Sequence, residues 1–348
     1  MAFMACEFML AWPTLCVVCE EKYLGANAGT AESIMTTVLI THPAFLNHDT
    51  GEYHPERPDR MRAIDRVLSH EIYNALQRRE APLRDDAEEA IKRCHPGTYF
   101  ETLRDKRPLG NAPSIHVDGD TVMSVGTWEA ALRAVGAGLD AVDLVMTEKA
   151  ANVFCQVRPP GHHAEKDTAM GFCLFSNAAI AAHYARVKYG AERLAVVDFD
   201  VHHGNGTQDI FWSDKDLFYG STHQMPLFPG TGELSETGVG NIFNAPLREG
   251  DGREKFEMAF RERILGPLRN FSPDLIIISA GFDAHRNDPL GGLDLVEADF
   301  MWATEQLCEI ADKQAGGRVV SMLEGGYDLA GLARSVAVHV KTLMNAGT

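Results

Sequence analysis

Positive charge is scarce in this chain: 32 Lys and Arg stand against 49 Asp and Glu, a formal net charge of -17 over 348 residues. Phosphate backbones are held by clustered cations, so no nucleic-acid partner is expected. Long apolar runs are missing too. The stretch from Phe8 to Cys19 falls short of the roughly 20 residues a membrane span needs, and it lacks the basic start of a secretory signal, so no membrane partner is expected. Cysteine is sparse and scattered, at positions 6, 16, 19, 94, 155, 173 and 308. An odd, unpatterned set gives no disulfide framework and fits a reducing compartment, with the cytoplasm as the expected location. Cys16 and Cys19 form a lone Cys-x-x-Cys with no second pair, read as coincidence.

Also absent are a Gly-x-Ser-x-Gly elbow, a phosphate loop ending in Gly-Lys-Ser/Thr, and a Gly-x-Gly-x-x-Gly opening a helix after the first strand. Serine-nucleophile, nucleotide and dinucleotide chemistries are thereby disfavoured. What is present is alternation. Strands are expected over 37–41, 151–157, 193–199, 217–221, 274–279 and 318–323, with helices over 127–149, 176–189, 252–268, 295–313 and 329–344. Several strands are apolar at successive positions, as when helices cover both sheet faces. No linker or repeat interrupts the pattern, so the expected fold is one α/β domain: a central, mostly parallel sheet flanked by helices, over 35–348. Residues 1–34 read as an N-terminal extension, with Met35 before the first strand.

In open α/β sheets ligands bind beyond the carboxyl ends of the strands. Four expected strands run there into polar, glycine-containing segments: Arg158-Pro-Pro-Gly-His-His, Asp198-Phe-Asp-Val-His-His-Gly, Ala280-Gly-Phe-Asp-Ala-His-Arg-Asn-Asp and Glu324-Gly-Gly-Tyr. Asp198, Asp200 and His202 recur at every second residue, so an extended strand end would point all three one way. Two carboxylates and an imidazole suit zinc or another divalent first-row ion, with Asp288 available from the next strand end. Three protein ligands leave zinc an open position, as catalysis requires. His162 and His163 read as acid/base machinery beside the metal. Tyr327, after two glycines, is placed to donate to a developing oxyanion.

Taken together, these segments resemble the zinc-dependent histone deacetylase family of the arginase/deacetylase fold, most closely its class II and bacterial amidohydrolase-like members. The resemblance runs through His54-Pro-Glu-Arg-Pro-Asp-Arg60, Arg158 to His163, Gly171-Phe-Cys173, Asp198 to Gln208, Phe228-Pro-Gly-Thr-Gly232, Ser279 to Ala284, Asn287 to Gly292 and Glu324 to Tyr327. It implies hydrolysis of an acetylated amine, most directly an acetylated lysine side chain, with an acetylated polyamine as the alternative. It implies one zinc per chain on Asp200, His202 and Asp288, with Fe2+ chemically compatible with that donor set. It moves Asp198 behind His162 and places Asn205 behind His163. It assigns a structural K+ to Asp198, Asp200, His202, Ser221 and Thr222, largely through backbone oxygens.

By the same resemblance His163 is the general base, His162 an electrostatic stabiliser and Tyr327 the oxyanion donor. Gly171, Phe172, Phe228 and Leu290 line the substrate tunnel, Asp120 (with Asp118 beside it) holds substrate at the rim, and Arg60 lines an internal acetate channel. Polyamine-selective relatives can carry Glu where this chain has Leu290, which favours lysine. A ureohydrolase of the same fold would need further Asp and His for a second metal. A non-enzymatic acetyl-amine-binding protein would be expected to lack Tyr327 or one His of the pair. The oligomeric state is left open, a homo-oligomer included.

Overall fold

The computed structural model describes residues 36–347. The extension read over 1–34, Met35 and the Cys16/Cys19 pair lie outside the described residues.

The buried runs form the strands, as expected of chain apolar on both faces. The main sheet contains β1 (Thr37–Thr41), β2 (Gln77–Glu80), β5 (Asn152–Cys155), β6 (Leu194–Asp198), β7 (Leu217–Gln224), β8 (Ile242–Leu247), β9 (Leu275–Ala280) and β10 (Val319–Leu323). All eight pair in parallel, in the order β2-β1-β5-β10-β9-β6-β7-β8. β3 (Ile115–His116) and β4 (Val122–Met123) form a separate antiparallel pair. β2 and β8, at the two edges, are the main-sheet strands that the apolar pattern does not predict. β2 reads Gln-Arg-Arg-Glu and is exposed throughout, and β8 carries Pro246; charge and proline both blunt a sheet edge.

The helices are α1 (Asp59–Leu68), α2 (Ala87–Cys94), α3 (Gly97–Lys106), α4 (Thr127–Met146), α5 (Asn177–Tyr189), α6 (Asn205–Phe211), α7 (Arg253–Ala259), α8 (Gly266–Phe271), α9 (Glu297–Gln314) and α10 (Leu329–Ala346). The single helix expected over 252–268 is instead α7, a wider π-helical turn over Phe260–Leu265, and α8. Two neighbours on β10 show how the layers sit. The Ser321 hydroxyl bonds His339 of α10, whereas the Met322 side chain reaches the Gly138 position of α4. Successive strand residues point to opposite faces, so α10 and α4 cover opposite sides of the sheet.

Register aligns the strand ends that matter. Asp198 of β6 pairs with Ser221 of β7 on one side and Ser279 of β9 on the other, and Leu323 of β10 pairs with Ala280 of β9. The polar segments after β5, β6, β9 and β10 therefore leave the sheet along one rim.

Candidate active site

β5 gives way to Arg158-Pro159-Pro160-Gly161, where two prolines lack the N–H groups a strand ladder needs. Glu324, just past β10, ties this segment down instead. Its Oε2 accepts the Gly161 and His162 N–H groups at 2.7 and 3.2 Å, and its Oε1 accepts the Ser279 hydroxyl at 3.1 Å. Burial pushes the Glu324 carboxyl up to about 7, against the pull of His162.

The two imidazoles presented by this turn have ring centroids 4.0 Å apart and occupy opposite electrostatic settings. His162 Nδ1 lies 3.0 Å from Asp198 Oδ2, and its Nε2 lies 3.8 Å from Asp200 Oδ1. Burial alone would lower its pKa, but the Asp200 and Asp198 carboxylates raise it to about 10. His163 Nδ1 faces an amide, Asn205 Oδ1, at 2.8 Å. Burial, and then the charges on His162 and His202, hold His163 well below the usual imidazole range. One ring is backed by a carboxylate and the other by an amide.

β6 ends at Asp198, so the expected alternation of two does not continue through Asp200 and His202. Asp198 is turned to the far side of His162, where its Oδ2 also accepts the Tyr219 hydroxyl at 3.1 Å. Asp200 and His202 meet a third group, Asp283. The ligand atoms of Asp200, His202 and Asp283 all lie within 4.8 Å of one another and all three residues are buried, an arrangement able to hold a metal ion. His202 Nδ1 is 3.1 Å from Asp200 Oδ1 and 3.2 Å from Asp283 Oδ2.

The chemistry of this donor set fits a cation. Burial and the neighbouring Asp200 charge push Asp283 up to about 7, while Asp200 and Asp283 raise His202 to about 10 against burial. Two carboxylates this close demand positive charge between them. Gly325 closes the cradle: a Cβ there would sit 2.2 Å from Asp283 Oδ2 and 2.6 Å from Asp200 Oδ2, while its N–H donates to Asp200 Oδ2 at 2.8 Å.

Asp288, the expected third ligand, stands close enough to this group that, beyond burial, its charge helps to raise Asp283 and Asp200 helps to raise Asp288 in turn. Its carboxylate turns to backbone, accepting N–H groups from Leu290 at 3.0 Å, Tyr327 at 2.6 Å and Asp328 at 3.0 Å. It ties down the loop that carries Tyr327, and Asp283 is a further candidate ligand beside Asp200 and His202. The signal for Asp283 was available in Gly281-Phe282-Asp283, which follows β9 directly.

A cavity of about 260 Å3 leads to this centre, lined by Asp120, His163, Gly171, Phe172, His202, Leu227, Phe228, Leu290 and Tyr327. Every residue expected along the tunnel is present, with Leu227 in addition. Phe228 sets its ring edge-on to His163 at 5.1 Å, and Phe172 does so to Tyr327 at 5.9 Å. Gly171 and Phe172 both have positive φ, at 55° and 68°. Gly171 needs that freedom and lacks room, since a Cβ would lie 2.5 Å from the His163 ring. Phe172 has a side chain in the same sparsely populated region, and a bond from its N–H to Thr121 Oγ1 at 3.0 Å helps to hold it there. At the mouth, Asp118 turns inward to accept the Asp120 and Thr121 N–H groups, leaving Asp120 to line the cavity. Burial, and then Asp118, raise the Asp120 carboxyl.

Arg60 is fully buried beneath Tyr327, its guanidinium carbon 5.1 Å from the ring centroid. Its Nε donates to Gly326 O at 2.7 Å, Nη1 to Glu56 Oε1 at 3.0 Å, and Nη2 to Glu324 O. Ser221 and Thr222 lie one strand over from Asp198; the Ser221 hydroxyl bonds His223 Nδ1 at 2.9 Å.

Residues 54–343 match the histone deacetylase domain model. A rice protein named histone deacetylase 10, chloroplastic, is 44% identical, covering 86% of this chain and 71% of that protein. The histone deacetylase-like amidohydrolase of Pseudomonas aeruginosa is 38% identical, covering 80% and 73%. Human polyamine deacetylase HDAC10 is 36% identical, covering 89% and 48%. Among solved structures, the HDA15 HD domain superposes with a TM-score of 0.84 at 34% identity, covering 90% of this chain and 92% of that one. The chain belongs to the histone deacetylase family of hydrolases.

Proposed function

We propose that this protein hydrolyses the amide bond of acetyl-lysine, releasing acetate, with one zinc ion held by Asp200, His202 and a third carboxylate, Asp288 as the sequence reads or Asp283, whose ligand atom lies within 4.8 Å of those of Asp200 and His202. The observation that carries this reading is the contrast in setting between His162, on the Asp198 carboxylate, and His163, on the Asn205 amide, beside the carboxylate group at the end of a cavity lined by Phe172 and Phe228. A divalent ion there supplies Lewis acidity toward a carbonyl oxygen and a water molecule. His163 would take a proton from water at Nε2 and return it to the leaving amine. His162, held charged by Asp200 and Asp198, stabilises developing negative charge. Tyr327 donates its hydroxyl toward the oxyanion. Phe172 and Phe228 suit a thin, neutral, aliphatic stem.

Asp198, Asp200, His202, Ser221 and Thr222 are the proposed K+ site, Arg60 the wall of the product channel, and Asp120 the rim acceptor for substrate backbone N–H. Fe2+ is the alternative metal for the same donors. An acetylated polyamine is the second substrate reading, favoured by the Asp118 and Asp120 carboxylates at the mouth and by the likeness to the human polyamine deacetylase. Leu290, where a polyamine-selective site can place Glu, favours lysine.

No helix among the described residues is long and apolar enough to cross a membrane. Scattered cysteines support a reducing compartment, and we place the protein in the cytoplasm, although the rice relative's name assigns that protein to the chloroplast.

Steady-state turnover of an acetyl-lysine peptide and of an acetylated polyamine, each beside Tyr327→Phe, tests the reading. The peptide is expected to be preferred, and the variant is expected to lose on the order of 10²–10³ in kcat, the usual effect of deleting one oxyanion donor. Preference for the polyamine moves the assignment to the second reading, and turnover of neither refutes both.

A further inference from the structure

We infer that Glu165 is a positioning residue for proton transfer: it sets which end of the Asn205 amide faces His163, and so which His163 nitrogen is free. The inference rests on the reading of His163 as general base. An amide presents an oxygen and an NH2 group of nearly the same shape, so shape alone does not orient it. A carboxylate does, because when ionised it only accepts. Glu165 Oε1 lies 2.7 Å from Asn205 Nδ2, which makes that end the NH2 and turns Oδ1 toward His163 Nδ1 at 2.8 Å. An oxygen there accepts, so Nδ1 carries the ring proton and Nε2 keeps its lone pair.

Reversing the amide would reverse the chemistry. Donor hydrogens would face Nδ1, the ring proton would shift to Nε2, and the nitrogen that must take a proton would already hold one. His162 needs no such arrangement, because its Nδ1 meets the Asp198 carboxylate directly. Met170 Sδ, 3.2 Å from the same Asn205 nitrogen, is too weak an acceptor to orient the amide. Glu165 is itself held: its N–H donates to Thr168 O at 3.0 Å, and its carbonyl accepts from His95 Nδ1 at 3.0 Å. Adjacent Lys166 is paired with Asp209 at 3.1 Å. The structure thus places a two-residue relay behind one histidine and a single carboxylate behind the other.

A mutant cycle of Glu165→Gln and Asn205→Asp on the zinc-loaded full chain tests this. Glu165→Gln replaces an acceptor with a group that also donates, freeing the amide to reverse; kcat is expected to fall on the order of tenfold with little change in KM. With Asn205→Asp there is no amide to orient, and Glu165 becomes a neighbouring like charge. The same Glu165→Gln change is then expected to leave kcat unaltered or raise it. An equal loss in both backgrounds would mean that Glu165 only braces its loop, and would overturn the inference.

Histidine ring 15N NMR gives a readout that needs no substrate, with His163→Asn assigning the signal. The wild type is expected to show the Nδ1–H tautomer at His163 and Glu165→Gln a new Nε2–H population. An unchanged tautomer in the variant refutes the inference even if the wild type turns over acetyl-lysine. A changed tautomer in a protein that turns over no acetylated amine supports it and refutes the substrate reading instead.

Discussion

Replacing Asp283 and Asp288 by Asn, one at a time, tests which carboxylate completes the proposed metal site. Asp288 accepts three backbone N–H groups, at 3.0, 2.6 and 3.0 Å. An Asn there keeps one acceptor oxygen, presents NH2 to a donor on the other side, and removes the charge. Hydrogen bonds to charged groups contribute about 1.5–3 kcal/mol each, so losing one and weakening two costs about 3 kcal/mol. At about 2 °C per kcal/mol for a chain of this size, Asp288→Asn should lower the metal-free Tm by about 6 °C. Asp283→Asn should not lower it, because that carboxylate is raised to about 7 by burial and by Asp200 and opposes folding when ionised.

Zinc decides between them. A ligand at 100 times its Kd adds about 2.7 kcal/mol, or about 5 °C here. That increment is expected in the wild type and is expected to vanish in the variant that lacks the third ligand. Calorimetry on metal-free and zinc-buffered samples reads both effects. Loss in Asp288→Asn alone would make Asp288 the ligand, loss in Asp283→Asn alone would make it Asp283, and an increment that survives both substitutions would refute the reasoning.

Gly325→Ala puts a methyl group against two of the proposed ligands without altering any of them. A Cβ 2.2 Å from Asp283 Oδ2 forces the carboxylates apart, so zinc affinity should fall about 10–100-fold in a competition titration with a chromophoric chelator. His339 supplies a pH test. Burial lowers it to about 3, and it bridges Ser321 and Thr304 as a neutral ring. A histidine with a depressed folded pKa contributes stability that is present above the unfolded value of about 6.5 and lost as pH falls below it, because only the unfolded chain then takes up the proton. The slope is about 1.4 kcal/mol per pH unit, and His339→Gln should remove that much of the decline between about pH 6.5 and 5 in urea titrations. An unchanged slope would mean that His339 is not held neutral.

The strands that flank the site were legible because they are buried on both faces: β9, Leu-Ile-Ile-Ile-Ser-Ala, reads as nothing else. The edge strands were not, since Gln77 to Glu80 carries the charge that protects an edge and so erases the apolar pattern. Within the site, the His162-His163 pair, the strand-end carboxylates and Tyr327 stood out as polar groups where apolar strands stop. Asp288 was named from the sequence, whereas Asp283 emerges only from the folded arrangement. Both follow β9 and both are acidic; what separates them is that the loop turns Asp288 back onto the Leu290, Tyr327 and Asp328 N–H groups. The tie that Glu324 makes to Gly161 and His162, and Glu165 altogether, were not legible for a related reason: each works through a contact with a segment distant in the chain or folded back on it, which periodicity does not register.

The central claim is a hydrolase that needs one metal ion. Acetate released from an acetyl-lysine peptide by the full chain, measured before and after stripping divalent metal and during zinc add-back, tests it most directly. The account predicts that turnover is lost on stripping and fully restored at one zinc per chain. Turnover that survives stripping, or that returns only at two equivalents, would contradict it.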